Sequence, residues 1–308
     1  MSRPGSCAAT CRACRRTPLP PARRTLGAGP CRGAIPARHP ARRGPLAGGR
    51  CRGTATGGNY ARRVARLLVV VPSPTDPPER LGEWLRAAGL ELDVRSVGEG
   101  DELPDDLAGV DGLVVLGGPQ SSLDDAATSP ELTGVRALLA QAVAGDVPTL
   151  AVCLGAQLLA QVAGGRIRVG TEGPEVGAAL VAKRDAAERD PLFGPLPMTP
   201  DVVQWHHDEV SELPPGALLL AAGPVYPHQA FRVGQRVYGL QFHVEPTAAR
   251  VAQWAHGDPA GVAASPFDAD THAERVAAVA DDLAAVWAPF AGRFADLVRA
   301  RAGAAARP

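Results

Sequence analysis

Three continuous apolar runs of strand length, LLVVV (67–71), GLVVLGG (112–118) and PTLAV (148–152), alternate with stretches whose apolar residues recur at helical spacing. A strand that is apolar on both faces has to be covered on both, which is the condition of a parallel sheet flanked by helices. Between the runs, ERLGEWLRAAG (79–89) puts Leu81, Trp84, Leu85 and Ala88 on one helical face, and Gly89 ends it. LELDV (90–94) alternates and suits a second strand. ELTGVRALLAQAVAG (131–145) directs Leu132, Val135, Leu138, Leu139 and Val143 inward, and LGAQLLAQVAGG continues as a helix after the third run. The order predicts an α/β domain with a mainly parallel, flavodoxin-like central sheet flanked by helices. Ligands of such a sheet gather at the carboxyl ends of its strands.

From residue 175 the segments EVGAALVA, ALLLAAG, QAFRVG and RVYGLQFHVE predict a small antiparallel β extension and a return to the sheet. From Thr247 onward the chain is Ala-rich and reads as helical. Its apolar residues Val276, Val279, Leu283, Val286, Phe290, Phe294 and Leu297 would pack on the domain or meet a partner helix.

The formal net charge of zero conceals a division. Residues 1–63 hold fourteen arginines and no acidic residue, leaving 18 basic against 32 acidic residues in 64–308. The first segment, rich in Arg, Pro and Gly, cannot bury enough surface to offset chain entropy, and is predicted to be disordered. It holds Cys7, Cys11, Cys14, Cys31 and Cys51. A zinc site would need a second pair of ligands beside Cys11 and Cys14, and none follows at suitable spacing. A secretory signal lacks its apolar stretch, and proline argues against a transit-peptide helix. The abrupt change of character at Val64 leaves open a natural start at or near that residue. The predicted organisation is therefore a tail over 1–63, an α/β domain over 64–250 and a C-terminal helical extension over 251–308.

The sixth cysteine, Cys153, stands between the run PTLAV and the helix that follows. A nucleophile on a tight strand-to-helix turn needs small residues two before and two after it, and here these are Ala151 and Gly155. The helix beginning at Leu154 directs its free amides at the sulfur, which favours the thiolate. The competing reading is a buried core cysteine. In YGLQFHVEP (238–246), His243 and Glu245 fall at i and i+2, on one side of an extended chain that Pro246 ends. A histidine able to take the thiol proton and a carboxylate to orient its ring complete a Cys-His-Glu set. In LGGPQSS (116–122), the amide of Gly118 can pair with that of Leu154 to hold an oxyanion, each donor contributing about 3 kcal/mol in a transition state.

With these pieces together the chain resembles the class I (triad-type) glutamine amidotransferases, and most of all their stand-alone members related to the amidotransferase domain of GMP synthase. VLGGPQS, VPTLAVCLGAQLLAQVAGG, QWHHDEV, PHQAFRVG and YGLQFHVEPT carry the resemblance, in the family's order, over about residues 64–250. It implies that Cys153 attacks the side-chain amide of glutamine and that His243 moves the proton. It also implies that Glu245 orients His243, and that the amides of Gly118 and Leu154 form the oxyanion hole. Gln157 would contact the bound glutamine, and His206 and His207 of the WHHD segment would wall the pocket; read without the resemblance, that segment is a polar loop. Three positions depart from the family pattern: Ala151 and His207 replace glycines, and Val244 replaces a proline.

A phosphate-binding loop with its lysine is missing from the sequence, as is a pyrophosphatase loop, and the residues after the site are too few for a synthetase domain. The ammonia acceptor would then be a synthetase on another chain, or the protein simply hydrolyses. Two other readings stay open: a hydrolase of γ-glutamyl amides or peptides with the same triad, and a non-catalytic regulatory module of this fold. The expected ligand is L-glutamine or a related γ-glutamyl compound, with no metal, no cofactor, no specific nucleic acid and no membrane. A lone cysteine in the folded region suits a cytoplasmic setting.

Overall fold

A computed structural model describes residues 63–305. The expectations for the tail therefore lie outside the described residues, apart from Arg63, whose guanidinium pairs with Asp111 at 2.6 Å.

In chain order the elements are β1 (Arg66–Val71), α1 (Glu79–Ala87), β2 (Glu91–Ser96), β3 (Gly112–Val115), α2 (Leu132–Ala144), β4 (Thr149–Val152) and α3 (Leu154–Val162). There follow β5 (Arg166–Val169), β6 (Glu175–Leu180), β7 (Ala182–Lys183), β8 (Asp201–His206), β9 (Asp208–Glu212), β10 (Leu218–Ala222), β11 (Ala230–Val233) and β12 (Val237–Leu240). Four helices close the chain: α4 (Ala248–Gly257), α5 (Pro259–Ala263), α6 (Ala269–Ala278) and α7 (Ala280–Ala305).

The main sheet has the order β2-β1-β3-β4-β12-β11-β10-β7. Pairing is parallel from β2 through β12 and antiparallel from there to β7. The chain passes from β2 on one side of β1 to β3 on the other. That reversal separates the loops after β1 and β3 and opens a crevice at the carboxyl edge. The expected fold, a mainly parallel α/β sheet with an antiparallel extension and C-terminal helices, is the fold observed.

Alternation along the strands sorts the core into two layers. Leu67, Val69 and Val71 of β1 pack with Leu81 and Leu85 of α1 and with Trp287, Phe290 and Phe294 of α7. Leu68 and Val70 face the other way, into a layer that holds Val135, Leu138 and Leu139 of α2 and Leu158 of α3. The apolar stripe of the C-terminal segment thus belongs to the domain's own core. Its residues divide between α6, which carries Val276, and α7, with Val279 at the break.

Two expectations need correcting. The segment RVYGLQFHVE is not one strand, since β12 stops at Leu240. Its parallel neighbour β4 gives way there to α3, with the Cys153 amide donating to Leu240 O at 2.7 Å. The chain then changes partner, and His243 exchanges both backbone hydrogen bonds with Val203 of β8 as an isolated bridge. The polar-loop reading of WHHD fails as well: His206 ends β8, His207 links it to β9, and Asp208 opens β9.

Candidate active site

Cys153 lies in the one-residue junction between β4 and α3, with φ 51° and ψ −111°. A residue with a Cβ reaches that region only under strain of about 1–3 kcal/mol, so the surroundings must hold it there. They do so by close approach. A Cβ on Gly155 would strike the carbonyl oxygen of Val115, the last residue of β3. Ala151, two residues before the cysteine, is fully buried between Val115 and Gly239 on the neighbouring strands. Cys153 is 6% exposed and lines a cavity of about 430 Å3, and its thiol lies 3.6 Å from the Trp205 carbonyl oxygen. Gly118 and Leu154 line the same cavity. Among the described residues neither amide donates to a protein acceptor.

His243 and Glu245 stand beyond the end of β12, in a bent segment held by the isolated bridge at His243. His243 Nδ1 is 2.5 Å from Glu245 Oε1, and each residue is about 1% exposed. The second carboxylate oxygen accepts from the Val244 amide at 2.9 Å, which fixes the carboxylate in turn. With Nδ1 turned to Glu245, Nε2 is the ring nitrogen left for proton exchange with the thiol. Burial by itself would lower the pKa of His243. The Glu245 carboxylate and the Cys153 sulfur outweigh it and hold the imidazole well above its ordinary value. The ring also packs on Trp254, with centroids 4.7 Å apart.

A family model described as "Glutamine amidotransferase class-I" matches residues 79–251, more than half of the chain. The chain belongs to the class I glutamine amidotransferases. It is 34% identical over 164 residues to a subunit of a glutamine-hydrolysing GMP synthase of Haloarcula marismortui, covering 52% of this chain and 76% of that one. It is also 34% identical over 146 residues to "GMP synthase [glutamine-hydrolyzing]" of Porphyromonas gingivalis, 47% of this chain. There the match spans only 27% of the relative's length. Among solved structures, a glutamine amidotransferase from Thermotoga maritima superimposes with a TM-score of 0.67 at 23% identity, over 76% of this chain and 99% of that chain. That likeness shows the fold.

In this member of the family the remaining expected residues fall into different settings. Gln157 is 4% exposed on the first turns of α3 and lines the cavity. Its amide nitrogen donates to Asp208 O at 3.1 Å and to Gln241 Oε1 at 3.4 Å, so it also braces the β8–β9 junction. His206 is buried with both ring nitrogens engaged, Nδ1 at 2.9 Å from Asp208 O and Nε2 at 3.1 Å from Glu175 Oε2. His207 stands at the cavity rim, half-exposed, its Nε2 2.7 Å from Asp258 Oδ2. Burial pushes the Asp258 carboxyl up, but the Gly261 amide and the His207 and Trp205 side chains hold it below the usual range.

Sequence reasoning missed three participants. Asp76, from the turn after β1, lines the cavity although it is buried; burial pushes its carboxyl up, against the opposing pull of His243 and Thr75. Trp254 and Asp258 come from α4 and its end. Helix α4 thus runs across the expected 250/251 boundary and delivers side chains to the wall around Cys153. Trp205, the first residue of WHHD, joins that wall; its indole packs on Trp254 and donates to Asp258 at 3.2 Å. Among the described residues no three His, Cys, Asp or Glu side chains converge as metal ligands would. None of the described helices is long and apolar enough to cross a membrane.

Proposed function

We propose that this protein hydrolyses the side-chain amide of L-glutamine through a cysteine thioester. The observation that carries the reading is the buried His243, paired with Glu245 at 2.5 Å, with Cys153 close by on a strained strand-to-helix junction. In the first half-reaction the Cys153 sulfur bonds to the amide carbon while its proton rests on His243 Nε2. The carbonyl electrons move to oxygen, where the Gly118 and Leu154 amides receive the charge. As the C–N bond breaks, Nε2 returns the proton to nitrogen and ammonia departs. In the second, Nε2 takes a proton from water, hydroxide adds to the thioester carbon, and the C–S bond breaks to give glutamate and the resting thiol. Glu245 stays ionised throughout and holds the ring in the useful tautomer.

The ammonia passes to a synthetase on a separate chain; support comes from the relative described as one subunit of a glutamine-hydrolysing GMP synthase. The test is glutamate and ammonia release from L-glutamine by the purified chain, beside Cys153→Ala. Equimolar products from the first and none from the second are expected. Equal release from both would overturn the assignment of the nucleophile. Absence of release together with an unlabelled Cys153, after exposure to a thiol-directed glutamine analogue, would leave the non-catalytic module as the better reading.

A further inference from the structure

One carboxylate in the cavity takes no part in the chemistry just described. Asp76 is 7% exposed and lines the cavity together with Cys153 and Gly118. Its Oδ2 is engaged, accepting from Thr75 Oγ1 at 2.5 Å, and the same threonine hydroxyl lies 2.8 Å from Ser73 Oγ. Its Oδ1 has no hydrogen-bond partner among the described residues. The turn that presents it is fixed from two sides. The Asp76 amide donates to Ser73 O at 3.0 Å, and Trp254 Nε1 donates to Thr75 O at 2.9 Å. With Oδ2 committed to Thr75, Oδ1 is the oxygen free to accept a hydrogen bond from a ligand in the cavity.

Its position says which part of the ligand. The place that a Cβ on Gly117 would occupy lies 2.9 Å from Asp76 Oδ1, 2.9 Å from His243 Cε1 and 3.5 Å from Cys153 Cβ. Only a glycine there lets carboxylate, imidazole edge and nucleophile crowd around one point. Cε1 is bonded to both ring nitrogens, and with Nδ1 turned to Glu245 the edge beside Asp76 runs on to Nε2. Nε2 hands its proton to the departing nitrogen, whereas the carbonyl oxygen of the same group faces the Gly118 and Leu154 amides. Asp76 therefore flanks the leaving-group side.

We propose that Asp76 is a specificity-determining residue that accepts a hydrogen bond from the leaving nitrogen, selecting γ-glutamyl amides over the corresponding esters. The inference rests on the glutaminase reading above. An amide –NH2 has a hydrogen to give to Oδ1; an ester's alkoxy oxygen presents only lone pairs, which a carboxylate repels. As the C–N bond breaks, its electron pair stays on nitrogen and the proton comes from His243. Asp76 holds one of the hydrogens already on nitrogen, and its own protonation does not change.

The test compares hydrolysis of L-glutamine and of L-glutamate γ-methyl ester by the full chain and by the near-isosteric Asp76→Asn. Replacing a charged acceptor by a neutral one should lower kcat/KM for glutamine by about tenfold or more, while the ester rate holds or rises. Thr75→Val, which releases Oδ2 but keeps the charge, should shift the amide-to-ester ratio in the same direction by less. An equal fall for both substrates would overturn the proposal, because Asp76 would then be holding the glutamyl part common to the two. No change for either would overturn it as well. A wild-type chain that turns over neither substrate would defeat the glutaminase reading, and this inference with it; turnover of glutamine with an unmoved ratio would defeat this inference alone.

Discussion

Glu245 sets the charge state of His243 as well as its orientation. Burial lowers the histidine's pKa and the carboxylate is the larger of the groups that raise it, so Glu245→Gln should let the pKa fall. The imidazolium is then lost at a lower pH, and the alkaline limb of kcat/KM moves to the acid side. The neutral glutamine also frees the ring to adopt the wrong tautomer, and kcat should drop by about 10²–10⁴. A pH–rate profile of the variant checks both, and an unmoved alkaline limb would mean that His243 is not the group titrating there. Stability follows the same sign. Because the folded-state pKa is raised, the pair's contribution is complete below the ordinary value of 6.5 and is lost as pH rises through the folded value. This histidine–carboxylate pair was legible in the sequence as a His and a Glu two residues apart, but the extended chain expected to align them ends at Leu240, and the pair is made in a bent segment by the ring–carboxylate hydrogen bond. Asp76 was not legible. Its turn, PSPTDPPE, has no periodicity, and only the strand order reveals that the loop after β1 opens onto the cysteine.

At the scale of elements, the junction of β4 and α3 depends on how closely α3 meets the end of β3. Gly155→Ala places a methyl carbon against the Val115 carbonyl oxygen, which is backbone in the middle of a parallel sheet and cannot rotate away. The start of α3 has to shift, carrying the Leu154 amide and the cysteine with it. Overpacking of this kind costs about 1–3 kcal/mol, or about 2–4 °C in Tm per kcal/mol for a unit of this size. A displacement near 1 Å at the nucleophile can cost about a hundredfold in rate, so kcat should suffer more than Tm suggests. Calorimetry and the glutaminase assay on the same preparation measure the two, and wild-type values in both would show that the sheet yields. The elements around this junction were readable from their periods. By contrast β5, β8 and β9 were missed, since RIRV is largely exposed and DVVQWH and DEVSE mix charged and apolar residues without a clean alternation. What makes them strands is pairing with distant partners, β5 with β9 and β6 with β8, which no local window contains.

For the whole molecule, α7 does more than cover one face of the sheet. Trp287, fully buried, packs on Phe242 with ring centroids 5.4 Å apart, and its indole donates to Asp201 O at 2.8 Å. Phe242 immediately precedes His243, and Asp201 opens β8, the strand whose Val203 fixes the His243 backbone. The C-terminal helix therefore supports the histidine from behind, although it contributes no side chain to the cavity wall. Trp287→Ala should cost about 3–5 kcal/mol from the cavity it leaves. Well below the melting transition it should also lower kcat, because the Phe242–His243 segment loses its backing, while KM for glutamine stays near the wild-type value. Trp287→Phe, which keeps a ring against Phe242 and gives up the indole hydrogen bond, should recover most of the rate and part of the stability. Steady-state kinetics well below the transition, with thermal melts of all three proteins, separate the effects. A large fall in Tm at unchanged kcat would reduce α7 to a cover over the sheet, and a rise in KM alone would mean that the disturbance reaches the cavity wall and not the histidine.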